Sequence, residues 1–204
     1  MRGRESGMPD VTQWESYFDA NEIVRKLSDP DQRKRCVEFG CGYGTFTRAA
    51  ASLVDVKQIA SFDIDDEMIR TTRMRLSDRT SADVSLARRD FLADGCGLPD
   101  GWADWAMLFN LLHIESPLVL LTEAHRVIRP GGTLAIIHWR DDIATPRGPS
   151  INIRPSLMQC QAWAEQVGFQ LVSIPVLERS PWHWGLRMTR TIAEGRRHYK
   201  ESRV

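Results

Sequence analysis

The chain has 204 residues, enough for one domain with a substantial core and too few for two. Its 27 basic and 27 acidic residues cancel, which removes the strong positive field that accompanies most nucleic-acid binders. No apolar run reaches bilayer length and no export signal opens the chain, so a cytoplasmic protein without a membrane partner is expected. Cys36, Cys41, Cys96 and Cys160 stand singly, a spacing that fits reduced thiols and argues against a metal site.

Residues 1–10, opening MRGRESG, are polar and patternless and read as a tail. Trp14, Tyr17, Phe18, Ile23, Val24 and Leu27 then form a helical apolar stripe that stops before Asp29-Pro30, over one or two helices. From there strands and amphipathic segments alternate. CVEF precedes a helix through FTRAAASLV, and KQIASF precedes a helix over Asp66 to Leu76. VSLARR and DWAMLF are strands joined by FLADGCGLPDG, whose Gly, Pro and Asp content leaves room for an abbreviated crossover only. A helix over Pro117 to Ile128 ends at Arg129-Pro130-Gly131-Gly132, and TLAIIHW is a fifth strand. After a Pro/Gly-punctuated loop, a helix from Ser156 to Val167 closes on Gly168, and FQLVSIPV and WHWGLRM form an antiparallel hairpin at the sheet edge. Strands alternating with helices require crossovers between parallel neighbours, so the expected fold is a single doubly wound α/β domain over 11–192. The basic stretch 193–204 reads as a C-terminal tail.

The segment VEFGCGYGTFTRAA carries the chemistry. A strand running into glycines and then a helix admits a ligand close to the backbone, with helix amides facing it. The lysine of a phosphate-cradling loop is missing after Gly44, and Gly40-x-Gly42-x-Gly44 sets the third glycine one residue early for a dinucleotide fingerprint. Glu38 would oppose a pyrophosphate and favour a cation, such as the sulfonium and ammonium of S-adenosyl-L-methionine. Asp63, twenty-three positions after Gly40, suits a ribose diol, and Ile64 an adenine face. Asp90-Phe91 ends the third strand, Asn110 the fourth and His138 the fifth. In an open α/β sheet such carboxyl ends share one crevice.

VEFGCGYG, SFDIDDEM, RRDFLADGCGLPDG, DWAMLFNLLH and EAHRVIRPGGTLAII together resemble the class I S-adenosylmethionine-dependent methyltransferases of the small-molecule type, over about Cys36 to Ile137. The resemblance implies a Rossmann-like, seven-stranded sheet ordered 3-2-1-4-5-7-6 with strand 7 antiparallel, and an N-terminal lid helix. It implies cofactor contacts at Glu38, Gly40, Gly42, Asp63, Ile64, Asp90, Phe91 and Asn110, to which Cys41, Gly44 and Leu111 are added from the same two loops. The cofactor would be S-adenosyl-L-methionine, leaving S-adenosyl-L-homocysteine.

Methyl transfer needs alignment, exclusion of water and, for a protonated acceptor, a base. His113, just past the fourth strand, is the first candidate, followed by His138; the duller reading has either one only shaping the pocket. His125, His183 and His198 read as structural. Arg140, Arg147 and Arg154 could hold an acceptor anion, or form local ion pairs with Asp141 and Asp142. Trp14 and Tyr17 could touch substrate but more often such aromatics pack. Asn110 is followed by Leu-Leu-His and not by the Pro-Pro-aromatic sequence of nucleic-acid amino methyltransferases, which favours a small-molecule acceptor. A non-catalytic cofactor-binding module, an enzyme acting on RNA or protein, and more remotely an NAD-dependent oxidoreductase stay open, and a monomer or homodimer is expected.

Overall fold

A computed structural model describes residues 7–76 and 80–192; the basic tail with His198, and all of MRGRESG but Gly7, lie outside them. Seven strands, β1 (Arg35–Phe39), β2 (Gln58–Asp63), β3 (Asp83–Arg88), β4 (Ala103–Phe109), β5 (Ile128–Trp139), β6 (Phe169–Ser173) and β7 (His183–Arg190), form one sheet ordered β3-β2-β1-β4-β5-β7-β6. The first five are parallel, and β7 runs antiparallel to both β5 and β6, as expected.

The helices are α1 (Val11–Glu15), α2 (Ala20–Leu27), α3 (Thr45–Ala51), α4 (Asp66–Arg75), α5 (Pro117–Val127) and α6 (Leu157–Gln166). Both faces of the central strands are covered, which is why all seven residues of β4 are buried and its sequence is a continuous apolar run. Trp105, Met107 and Phe109 pack with α2 and α3, while Ala106 and Leu108 pack with α5 and α6. Local chemistry sets the helix ends. The Asp19 carboxylate accepts from Glu22 N at 2.9 Å to start α2, and Ser156 Oγ accepts from Gln159 N at 3.1 Å to start α6. Gly168, at φ 100°, ends α6 as expected.

Three elements differ from their sequence expectations. The helix α3 stops at Ala51, leaving Val54 76% exposed, whereas the aromatic stripe forms two helices, α1 and α2, within its expectation. Arg129-Pro130-Gly131-Gly132 is no turn: β5 already begins at Ile128, pairs with Ala103, and shifts register before Trp105. Gly132 permits this, since a side chain there would meet Asp104 O at 2.6 Å. β6 stops at Ser173, two residues before Pro175, whose nitrogen cannot donate to a ladder.

One buried carboxyl ties three of these elements together. Glu38 on β1 is 2% exposed and points at α3, where its Oε2 accepts the hydroxyl protons of Thr47 on α3 and of Ser61 on β2, the latter at 2.7 Å. Burial pushes its pKa up to about 7 from 4.5; the two hydroxyls pull it down and the Asp63 charge pushes it up. A carboxyl raised on folding stabilises the fold fully below pH 4.5 and loses that contribution as pH rises to about 7. The loss amounts to about 3 kcal/mol. Denaturant titrations across this window are expected to show that decline in the wild-type chain and a flatter profile in Glu38→Gln, and identical profiles would exclude a buried, titrating Glu38.

Candidate active site

The turn after β1 is built by backbone pairing to the next strand. Gly40 N and Cys41 N both donate to Phe62 O, at 2.8 and 2.9 Å, and Gly42 N donates to Asp63 Oδ2 at 2.9 Å. Gly44 then starts α3 at φ 73°. A Cβ there would lie 2.7 Å from Thr72 Cγ2 on α4, and the Thr72 hydroxyl itself donates to Gly42 O at 2.9 Å. Both the left-handed backbone and the close approach of α4 therefore demand glycine.

This turn borders a cavity of about 730 Å³ at the carboxyl ends of the parallel strands. Gly40, Cys41, Gly42, Asp63, Ile64, Asp90, Phe91, Asn110, Leu111 and His113 all line it, so ten of the residues singled out from sequence share one space. A more open groove of about 830 Å³ between α2 and α3 is bordered by Glu15, Asp19 and Arg48 and contains none of them.

Two acidic and amide groups give the cavity its chemistry. The Asp63 carboxylate accepts from Gly42 N through Oδ2 and from Asp65 N, at 3.0 Å, through Oδ1. Burial pushes its pKa up against the pull of those backbone donors. Each oxygen keeps a further lone pair for a hydroxyl donor. Asn110 is the sole non-glycine residue at positive φ, 58°, among those described, and its Oδ1 and Nδ2 are both buried without a protein partner. A left-handed backbone together with an unpaired buried amide marks a costly position at the cavity wall, of the kind that collects at ligand sites.

Other sequence expectations are corrected. Glu38 is not among the residues that line the cavity; its carboxyl is buried behind the turn, bonded to Thr47 and Ser61, with its pKa pushed up to about 7 by burial. Gly44 shapes the turn from outside the cavity lining. Tyr17 is buried against Trp139 and Trp182, with ring centroids 5.4 and 6.1 Å away, while Trp14 does line the cavity. Arg140 pairs with Asp142 at 2.6 Å. Arg154 donates to the carbonyls of Pro149 and Arg140 at 2.6 and 2.7 Å and to Thr145 Oγ1 at 2.8 Å, so it shapes the loop after β5 and leaves no fork for a substrate. His138 is fully buried and outside the lining, behind His113.

Several lining residues had no such assignment. Met8 and Pro9, set aside with the tail, cover the glycine turn: Tyr43 Oη donates to Pro9 O at 2.7 Å and Arg147 to Gly7 O at 2.7 Å. The signal available was Asp10, which caps α1 by accepting from Thr12 N at 3.0 Å. Arg147, the one of the three sequence-named arginines that lines the cavity, forms another part of the wall with Trp139, Gly148 and Pro149.

The arrangement fits S-adenosyl-L-methionine. The orphaned Asn110 amide suits an amino-acid portion, the Asp63 carboxylate a ribose diol, and the turn glycines admit the ligand against backbone. Among the described residues no group of three or more side chains could hold a metal ion, and no helix is long and apolar enough to cross a membrane.

Comparison with known proteins agrees with this geometry. A family model described as "Methyltransferase domain" matches residues 37–136. The chain is 24% identical over 199 residues to a sterol 24-C-methyltransferase of Neurospora crassa, covering 88% of this chain and 50% of that protein. It is 27% identical over 112 residues to an rRNA N(6)-adenosine-methyltransferase of Caenorhabditis elegans, covering 52% and 51%. The chain thus spans about half the length of the curated relatives it matches. A SAM-dependent methyltransferase from Aquifex aeolicus shares its fold with a TM-score of 0.72 at 20% identity, covering 88% of this chain and 93% of that one. Residues 37–136 thus belong to a methyltransferase domain, set in a sheet ordered 3-2-1-4-5-7-6 that is the fold of the class I S-adenosylmethionine-dependent methyltransferases.

Proposed function

We propose that the protein transfers a methyl group from S-adenosyl-L-methionine to a small-molecule acceptor. The observation that carries this reading is the gathering of the Asp63 carboxylate, the glycine turn and Asn110, whose buried amide has no protein partner, around one cavity. When bound, the sulfonium supplies an activated methyl carbon. The chain's own residues would hold and orient. Asp63 would accept the ribose hydroxyls, Asp90 the exocyclic amino group, and Ile64 and Phe91 would flank the adenine. Asn110 would satisfy the amino-acid portion, and Gly7 to Pro9 would exclude water over the turn.

A small acceptor is supported by the balanced overall charge and by a cavity within the range of small-ligand sites. His113 lines its wall and would take a proton from the acceptor. An RNA acceptor is the second reading, favoured by the similarity to the rRNA methyltransferase. Retention on RNA with a steep salt dependence would support it over the first.

Calorimetric titration with S-adenosyl-L-homocysteine is expected to give saturable heat. Asp63→Asn, which keeps the shape and removes charge-assisted bonds, is expected to weaken binding by about 10-fold or more. No heat from folded wild-type protein would sink the proposal, and tight binding without turnover over a broad acceptor panel would leave a non-catalytic module. Asn110→Ala offers an independent check: a loss of affinity comparable to that of Asp63→Asn is expected, and unchanged affinity would remove Asn110 from the ligand site.

A further inference from the structure

The imidazoles of His113 and His138 meet edge to edge. His113 Nδ1 lies 3.1 Å from His138 Nε2, and His138 Nδ1 lies 3.2 Å from the carbonyl oxygen of Trp139. A carbonyl can only accept, so the hydrogen-bond network assigns the His138 proton to Nδ1. Its Nε2 then carries a lone pair, and the bond to His113 requires that His113 Nδ1 be the donor. In neutral His113 the remaining lone pair falls on Nε2.

The surroundings of His138 keep it in that role. Its side chain is fully buried and stacks on Trp184 at 6.0 Å, which fixes the ring plane. Burial drives its pKa well below 6.5; the titratable and charged groups acting on it are His113 from the loop after β4, His183 from β7 and Arg154 from the loop after β5, each of which disfavours a second cation. It therefore stays neutral and accepting.

We propose that His138 is a positioning residue for His113: it holds His113 as the Nδ1–H tautomer, so that Nε2 is the base that takes the acceptor's proton. This rests on the methyltransferase reading for its chemistry, although the tautomer stands on geometry alone. In the step, a lone pair on the acceptor atom forms the bond to the methyl carbon. The carbon–sulfur bond breaks with its electrons passing to sulfur, leaving a neutral thioether, and the acceptor's proton goes to His113 Nε2. His113 becomes an imidazolium whose Nδ1–H still donates to His138, a bond that strengthens with the charge. The proton then leaves to solvent.

The test is long-range ¹H–¹⁵N spectroscopy of the histidine rings in the folded, ¹⁵N-labelled full chain, at a pH where His113 is neutral. His113 is expected as the Nδ1–H tautomer in wild type and in His138→Gln, whose amide oxygen can still accept. In His138→Phe it is expected to revert toward Nε2–H, and if that variant does not fold, the wild-type and His138→Gln spectra still decide. An Nε2–H tautomer for wild-type His113, or an unchanged Nδ1–H tautomer in folded His138→Phe, overturns the proposal. S-adenosyl-L-homocysteine titrated into His138→Gln is expected to bind as in wild type. Absence of binding in both, with the Nδ1–H tautomer present, would fail the methyltransferase reading and leave the positioning role standing.

Discussion

The architecture depends on bringing a polar side chain into the middle of a parallel sheet without leaving it unsatisfied. Glu38 does this by accepting two hydroxyl protons, one from the neighbouring strand and one from the helix that follows the glycine turn. These contacts link the strand before the turn, the strand beside it and the helix after it. The turn is thereby stretched between fixed points, and its amides settle on Phe62 O and on the Asp63 carboxylate. The position of Asp63 at the cavity is thus coupled to a carboxyl that the cavity never meets.

The convergence of strand ends follows from the same logic. Parallel strands covered on both faces bury every side chain along their length, so polar residues collect where the coverage stops. Asp63, Asp90 and Asn110 stand at those positions, and the geometry gathers them with the turn glycines around one space. Asn110 carries the clearest mark of use, because a left-handed backbone and two orphaned amide atoms would be costly in a residue with only a packing role.

Much of this was legible from sequence for identifiable reasons. The run ADWAMLF could only be a strand buried on both sides, and the glycine turn with Asp63 at its proper distance located the crevice. What escaped was direction and partnership. Glu38 sits one pleat away from Val37 and Phe39, and strand alternation sends it toward Thr47 and Ser61, partners nine and twenty-three positions off. Arg154 found backbone carbonyls, which no pattern of side chains announces. His113 and His138 were recognised separately, but only the pairing of strand ends reveals that one holds the other. The leading residues looked like a tail because Met8 and Pro9 show no periodicity, and their place follows from Tyr43 reaching to the Pro9 carbonyl and Arg147 to that of Gly7.

Two neighbouring parts of the cavity wall differ in stiffness. Over Gly42 the covering group is the Met8 side chain, whose sulfur and terminal methyl lie 3.2 Å from where a Cβ would stand; an unbranched thioether yields by simple torsion. In the adjoining loop, whose Arg147 donates to Gly7 O, Pro149 is clamped by the Arg154 guanidinium, which also grips two other points of that loop. The cavity wall thus joins a side chain that can give way to a loop that its own hydrogen bonds hold in place.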